Sequence, residues 1–297
     1  MSTDQRQPSE RPPAGPPRKR TGADVTRTVL RGVGQTLITL GVVVLLFVVY
    51  EVYVTDLFGH QKQAEATSAV DRVWATAEQN ATSTVVVDNP DQLVTDPRQR
   101  TPTYQTLTGT GFAKLYVPSF GADYVFTVVE GTNPDDLYIG PGHYDNTQLP
   151  GQQGNFAVAG HRVSKGSPFN DLGLLASCDA VVVETQDDWF VYRVLPMDDE
   201  VATWDQTQHA HCAGVGVQTG PYAGVYGREI TVPSDYAQVL PVPHVNNTVV
   251  PPDAQRMITL TTCHPQFSDA QRMIIHGVLV RSYSKSAGFL PPELGES

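Results

Sequence analysis

Hydrophobic positions along the chain fall into three textures. From Gly32 to Tyr50 they form one block of nineteen residues without a charge, G-V-G-Q-T-L-I-T-L-G-V-V-V-L-L-F-V-V-Y. A helix of that length is ~29 Å long, close to the thickness of a hydrocarbon core. Residues 56–81 mix small apolar and polar side chains in a helix-favouring composition and read as a stalk. From Thr110 the apolar residues come as short β-branched or aromatic runs divided by Gly and Pro. These are F-A-K-L-Y-V, Y-V-F-T-V-V-E, N-F-A-V-A-G-H, A-V-V-V-E-T, W-F-V-Y-R-V-L, M-I-T-L-T-T-C and M-I-I-H-G-V-L-V-R-S-Y. Seven or more such strands with turns between them predict an all-β barrel or sandwich. Residues 201–250 are less regular and predict an inserted loop region. The residues after Ser284 read as a frayed tail.

The polar flanks set the organisation. Five prolines lie between Pro8 and Pro17, and residues 1–24 are too poor in apolar groups to offset their ordering entropy, which predicts a disordered tail. Residues 1–31 carry seven basic and three acidic side chains, whereas the whole chain has a net charge of −11. Arg27, Arg31 and the Arg18-Lys19-Arg20 cluster place the N-terminus on the cytoplasmic side of a single-pass anchor. No small-residue cleavage site follows the apolar block, where V-Y-E-V-Y-V-T-D stands, so the anchor is read as uncleaved. The predicted domains are a basic cytoplasmic tail (1–31), a transmembrane signal anchor (32–53), a stalk and linker (54–109), an extracytoplasmic β domain (110–284) and a C-terminal tail (285–297).

Charge and cysteine usage exclude whole classes. A strongly acidic chain is a poor ligand for nucleic acid, which needs clustered Lys and Arg. Three cysteines without a C-x-x-C spacing exclude zinc-finger and thioredoxin-like readings.

The chemistry concentrates in T-L-T-T-C-H-P at 259–265. A strand ending at Cys263 sets its thiol at a sheet rim, and eight residues allow the chain to return so that Arg272 stands beside the sulfur. His161 ends the strand N-F-A-V-A-G-H and completes a Cys-His-Arg set. A thiol of ordinary pKa is only ~3% ionised at pH 7, so nucleophilic work calls for a base or positive charge nearby. His161 supplies the one and Arg272 the other. Read from spacing alone, the same residues also fit a buried inert thiol, a structural histidine and an edge arginine.

T-L-T-T-C followed by Arg272, with G-H-R upstream, resembles the active-site signature of the sortases, membrane-anchored cysteine transpeptidases built on an eight-stranded β-barrel. The resemblance runs over roughly Gly109–Tyr283. The stretches G-P-G-H-Y (140–144), L-P-G (149–151) and G-N-F-A-V-A-G-H-R resemble class E and its class D relatives, and T-C-H-P is most like class E. The resemblance implies Cys263 as nucleophile, His161 as general acid/base and Arg272 as substrate and oxyanion clamp. It also implies Thr262, His143 and Tyr144 as substrate-binding residues. The implied reaction cleaves an L-A-x-T-G-like C-terminal sorting signal between Thr and Gly through a thioester. The partners it implies are secreted proteins bearing that signal and an amine acceptor on a peptidoglycan precursor. The rival readings are a class D or pilin-type enzyme, a hydrolase, and a silent membrane-tethered binding barrel. The segment 204–232 looks longer than the class E pattern.

On the outside of a membrane, Cys178 and Cys212 are disulfide candidates, with two unpaired buried thiols as the alternative. The H-A-H-C run at 209–212 lacks a second ligand cluster, so neither a metal nor another cofactor is expected. His276, inside an apolar strand, reads as a core or face residue.

Overall fold

The computed structural model describes residues 22–80, 109–205, 207, 210–285 and 288–296. Most of the expected N-terminal tail and of the linker therefore lies outside the described residues. The chain divides into two units between Val49 and Tyr50.

The first unit contains helix α1 (Gly22–Val49). Its span Val25–Val49 has a mean hydropathy of 2.3, and none of it is buried. The hydroxyls of Thr36 and Thr39 donate to the carbonyls of Gly32 and Gln35, at 3.0 and 2.9 Å. The two threonine hydroxyls of the run are thus satisfied inside the helix, as an apolar solvent requires. This helix is long and apolar enough to cross a membrane.

In the second unit, nine strands form the core: β1 (Gly111–Tyr116), β2 (Val125–Glu130), β3 (Gly142–His143), β4 (Gly154–Ala159), β5 (Ala180–Glu184), β6 (Asp188–Val194), β7 (Arg228–Thr231), β8 (Arg256–His264) and β9 (Gln271–Ser284). Their order is β6-β5-β1-β2-β3-β4-β8-β9-β7, and β6 also pairs with β9. That last pairing closes eight strands into a barrel, as expected, and leaves β7 as an added strand beside β9. The pairs β2–β3 and β4–β8 are parallel and the others antiparallel. Strand β9 closes the ring because it is long enough to serve three neighbours. Its first half lies between β8 and β7, and its second half pairs with β6 from Gly277 to Ser284. All seven expected runs are strands. The two missed by sequence are β3, two residues long within a Gly-Pro-Gly stretch, and β7, inside the irregular region.

Period-two alternation fills the barrel. Ile258 and Leu260 of β8 meet Met273 and Ile275 of β9 in the main apolar cluster. The side chains between them face outward, where a second cluster gathers Leu195, Met257, Val215, Tyr222 and Val242 around a Cys178–Cys212 disulfide. The expected insertion is therefore closed down on the outside of the barrel.

Two expectations at the ends of the domain change. The stalk helix α2 (Thr55–Asn80) does not stand free. One face, read at Gln63, Thr67, Val70 and Trp74, lies on the barrel wall. Gln63 donates to the carbonyls of Ile139 and Thr127 at 3.0 and 3.2 Å, Thr67 meets the Thr127 hydroxyl at 2.7 Å, and Val70 and Trp74 are buried. The approach is so close that a Cβ on Gly111 would come within 2.7 Å of Val70. The C-terminal segment is not frayed either. Tyr283 donates to Glu293 at 3.0 Å, and both terminal nitrogens of the buried Arg193 bond Glu296, Nη2 at 2.8 Å. Glu296→Ala should leave that guanidinium with the Cys178 carbonyl and no counter-charge, and cost about 1–3 kcal/mol, the penalty of a buried charged group that loses a partner. Urea unfolding measures it, and an unchanged midpoint would contradict the packed tail.

Candidate active site

Strands β4, β8 and β9 run side by side, and their register decides which side chains share a face. Directly opposite residues of an antiparallel pair point the same way with Cβ atoms ~4.5–5.5 Å apart. Cys263 is opposite Arg272, Thr261 opposite Ile274, and Thr259 opposite His276. On the other side β4 is parallel to β8, with Ala157 beside Thr259 and Ala159 beside Thr261. Gly160 extends the pairing, its amide donating to the Thr261 carbonyl at 3.0 Å. His161 is the next residue, level with Cys263. One rim of the barrel therefore gathers the thiol, the imidazole and the guanidinium, each from a different backbone segment.

Cys263 is half-buried and is the chain's one cysteine outside the disulfide. The Nε2 atom of His161 is buried and has no hydrogen-bond partner among the described residues. Burial, and then the nearby Lys165 charge, push the His161 pKa down from 6.5 to about 4. The ring is thus neutral at neutral pH, and among the described residues nothing competes for Nε2, a state suited to accept a proton. Because the unfolded chain takes up this proton near pH 6.5 and the folded chain only near pH 4, His161 contributes stability above pH 6.5. That contribution is lost as pH falls towards 4. An NMR titration of the His161 ring should show a midpoint near 4. A midpoint at or above 6.5 would contradict this environment.

Arg272 is held by the turn that connects the two strands, its Nη1 donating to the carbonyls of Asp269 and Gln271, both at 3.0 Å. A second arginine, not singled out from sequence, braces the other side. Arg162 Nη1 donates to His264 Nδ1 at 2.8 Å and to the Cys263 carbonyl at 3.3 Å. It fixes the backbone that carries the thiol, and its only sequence signal is its place after His161 in G-H-R.

The expected substrate-binding residues separate. Tyr144 lies on the rim, its hydroxyl 2.9 Å from that of Thr261. Burial raises its pKa, while the Thr261 hydrogen bond and the Arg272 charge act the other way. Thr262 faces inward: it is buried and donates to the Gly160 carbonyl at 2.8 Å, so it ties β8 to the end of β4 and does not face a substrate. Thr261 shares the outer face with Cys263 but is itself buried, beneath the Tyr144 hydroxyl. His143 is also not a lining residue. It is 2% exposed, its Nδ1 meets Glu130 at 2.9 Å and its Nε2 meets Thr147 at 3.0 Å, between the rings of Phe112 and Phe156. Its motif position fits a buried polar brace. Of the H-A-H-C run, His209 lies outside the described residues, His211 pairs with Glu296 at 3.2 Å and Cys212 is in the disulfide.

Comparison with known proteins follows the same lines. Residues 115–280 match the Sortase domain family model. The chain is 30% identical over 280 residues to Sortase SrtE1 of Streptomyces coelicolor, covering 91% of this chain and 62% of that protein. To Sortase SrtE2 of the same organism it is 28% identical over 273 residues, covering 88% and 85%. The solved structure of a SrtF sortase from Corynebacterium diphtheriae matches with a TM-score of 0.59 and 44% identity, covering 68% of this chain and 99% of that one. The chain thus spans less than two thirds of SrtE1.

Proposed function

The chain belongs to the sortase family, and from that premise we propose that it is a membrane-anchored transpeptidase acting on secreted proteins outside the cell. The observation that supports this most is the shared rim: Cys263 stands opposite Arg272, and His161, whose Nε2 has no partner among the described residues, follows β4 at the level of Cys263.

In this reading the Cys263 sulfur attacks the carbonyl carbon of the Thr–Gly bond in a C-terminal sorting signal as its proton passes to the neutral His161. The resulting oxyanion is met by the Arg272 guanidinium. When the C–N bond breaks, His161 returns the proton to the leaving Gly amine and a Thr thioester remains on Cys263. An amine on a peptidoglycan precursor then gives its proton to His161 and attacks the thioester, and the thiol is regenerated. Tyr144 borders the path of the peptide, its hydroxyl braced by the buried Thr261. The class E-like T-C-H-P stretch implies an L-A-x-T-G signal in preference to L-P-x-T-G. Residues 32–53 form the anchor, the basic residues 1–31 lie in the cytoplasm, and the barrel at 110–284 faces outward with the linker between.

The test is incubation of the chain from Tyr50 onward, which keeps α2 on the barrel, with both peptides, with and without an amine acceptor. Mass spectrometry should show cleavage between Thr and Gly, faster for the alanine peptide, and an amine-linked product. A faster proline peptide would overturn the signal, and hydrolysis unaffected by amine would overturn the transfer step.

A further inference from the structure

On the outer face below the rim, the segment that follows β7 covers β8 and β9 and buries polar groups whose protons do not balance. Asn155 donates through Nδ2 to the carbonyls of Gln238 and Leu240, at 3.2 and 3.1 Å. Its Oδ1 is therefore an acceptor and takes the Thr259 hydroxyl proton at 2.8 Å. With that proton spent, Thr259 Oγ1 can only accept from His276 Nδ1, 2.9 Å away. A neutral His276 then carries its proton on Nδ1 and turns a lone pair outward from Nε2. The group facing it at 3.0 Å is Gln238 Oε1, another acceptor. The Gln238 amide cannot be reversed, because its Nε2 donates to Asp235 at 3.0 Å and points to Glu229 at 3.4 Å. A cation between these groups would supply the missing partner.

Two further acceptors converge there. His276 Nε2 is 3.8 Å from Glu229 Oε1, and His244 Nε2 is 2.9 Å from Glu229 Oε2. The ligand atoms of Glu229, His244 and His276 all lie within 4.8 Å of one another. The edge of a tetrahedron with metal bonds of 2.0–2.1 Å is about 3.3 Å, so these spacings bracket what a small ion needs. His276 is fully buried, and its ring is oriented by the Thr259–Asn155 chain, the outer-shell bond through the other ring nitrogen that metal-ligating histidines make. His244 is presented by a backbone held at φ 69°, a conformation an L-residue seldom takes, with its ring edge-on to that of His276.

We propose that Glu229, His244 and His276, with the Gln238 side-chain oxygen, form a binding site for one divalent transition-metal ion of the zinc type. Two imidazoles and one carboxylate suit such an ion better than calcium or magnesium, which prefer oxygen ligands. The ion ties three pieces together: β7 through Glu229, the turn Tyr236–Val239 and the loop beyond it through Gln238 and His244, and β9 through His276. Strand β7 is also where Thr231 pairs with Arg272, so the ion holds the strand that flanks the rim arginine. The site is structural and independent of the reaction proposed above.

The experiment titrates Zn²⁺ into the full chain in detergent after chelator treatment, against a chromogenic competitor, with Co²⁺ absorption as a second readout. One equivalent should bind, raise the thermal transition, and with Co²⁺ give the visible bands of a low-coordinate nitrogen/oxygen site. His244→Ala and Glu229→Gln should each weaken binding by at least ~10-fold. His244 is partly exposed, so its replacement leaves the fold testable by the metal-free melting curve, and His211→Ala should bind like the parent. Absence of stoichiometric binding, or binding that survives both ligand variants, would overturn the proposal. Neither result depends on peptide cleavage.

Discussion

Cys263→Ala should lower peptide cleavage by a factor on the order of 10⁴ or more, because loss of a nucleophile removes the covalent path and leaves only binding and oxyanion stabilisation. The change removes one half-buried sulfur at a strand rim. The strand itself is held by its pairing with β4 and β9 and by the Ile258–Leu260 contacts inside the barrel. Stability should therefore move by about 1 kcal/mol or less. Loss of cleavage with an unshifted melting curve is the expected pair of results. Cleavage that persists within tenfold would place the chemistry on another residue.

Arg272→Ala should cost about 10²–10³ in kcat/KM, the range for removing a principal oxyanion donor, and most of the loss should appear in kcat. Arg272→Lys is the sharper comparison. The native guanidinium uses Nη1 to hold the carbonyls of Asp269 and Gln271, which leaves its other N–H groups for a substrate. An ammonium is a point charge with no such fork and cannot satisfy the turn and the oxyanion in fixed directions at once. Lysine should therefore recover little of the loss. Full recovery would mean that charge alone matters at this position, and a threefold effect for alanine would remove Arg272 from the reaction altogether.

Some of this architecture is readable in the chain and some is not, for physical reasons. Long β-branched runs announce their strands, and the spacing of Cys263 and Arg272 announces an antiparallel return, because both depend on local chain geometry. The closure of the barrel depends on β9 reaching β6, a long-range pairing that enters the expectation only through likeness to a family. The helix α2 is evident in composition, but its docking is not, since Gln63 and Thr67 look like solvent-facing residues until Thr127 is beside them. The same holds for the tail, whose anchor is a charge, Glu296, paired with an arginine more than a hundred residues away. Thr262 is different. Strict alternation puts the residue before Cys263 on the opposite face, so its inward position is implied by the strand prediction itself, and proximity in sequence is the wrong guide. The buried seat of His143 needs Glu130, Phe112 and Phe156, which only the folded barrel brings together. The acceptors around His276 come from β7, β9 and a loop between them, so no spacing rule would collect them.

A search for the acyl-enzyme tests most directly whether Cys263 carries the reaction. The chain is mixed with an L-A-x-T-G peptide without amine, quenched in acid, digested and read by mass spectrometry. The expected product is the peptide's Thr carboxyl joined as a thioester to Cys263, discharged by added amine and absent from Cys263→Ala. Cleavage with no adduct on Cys263, or with an adduct on another residue, would contradict it.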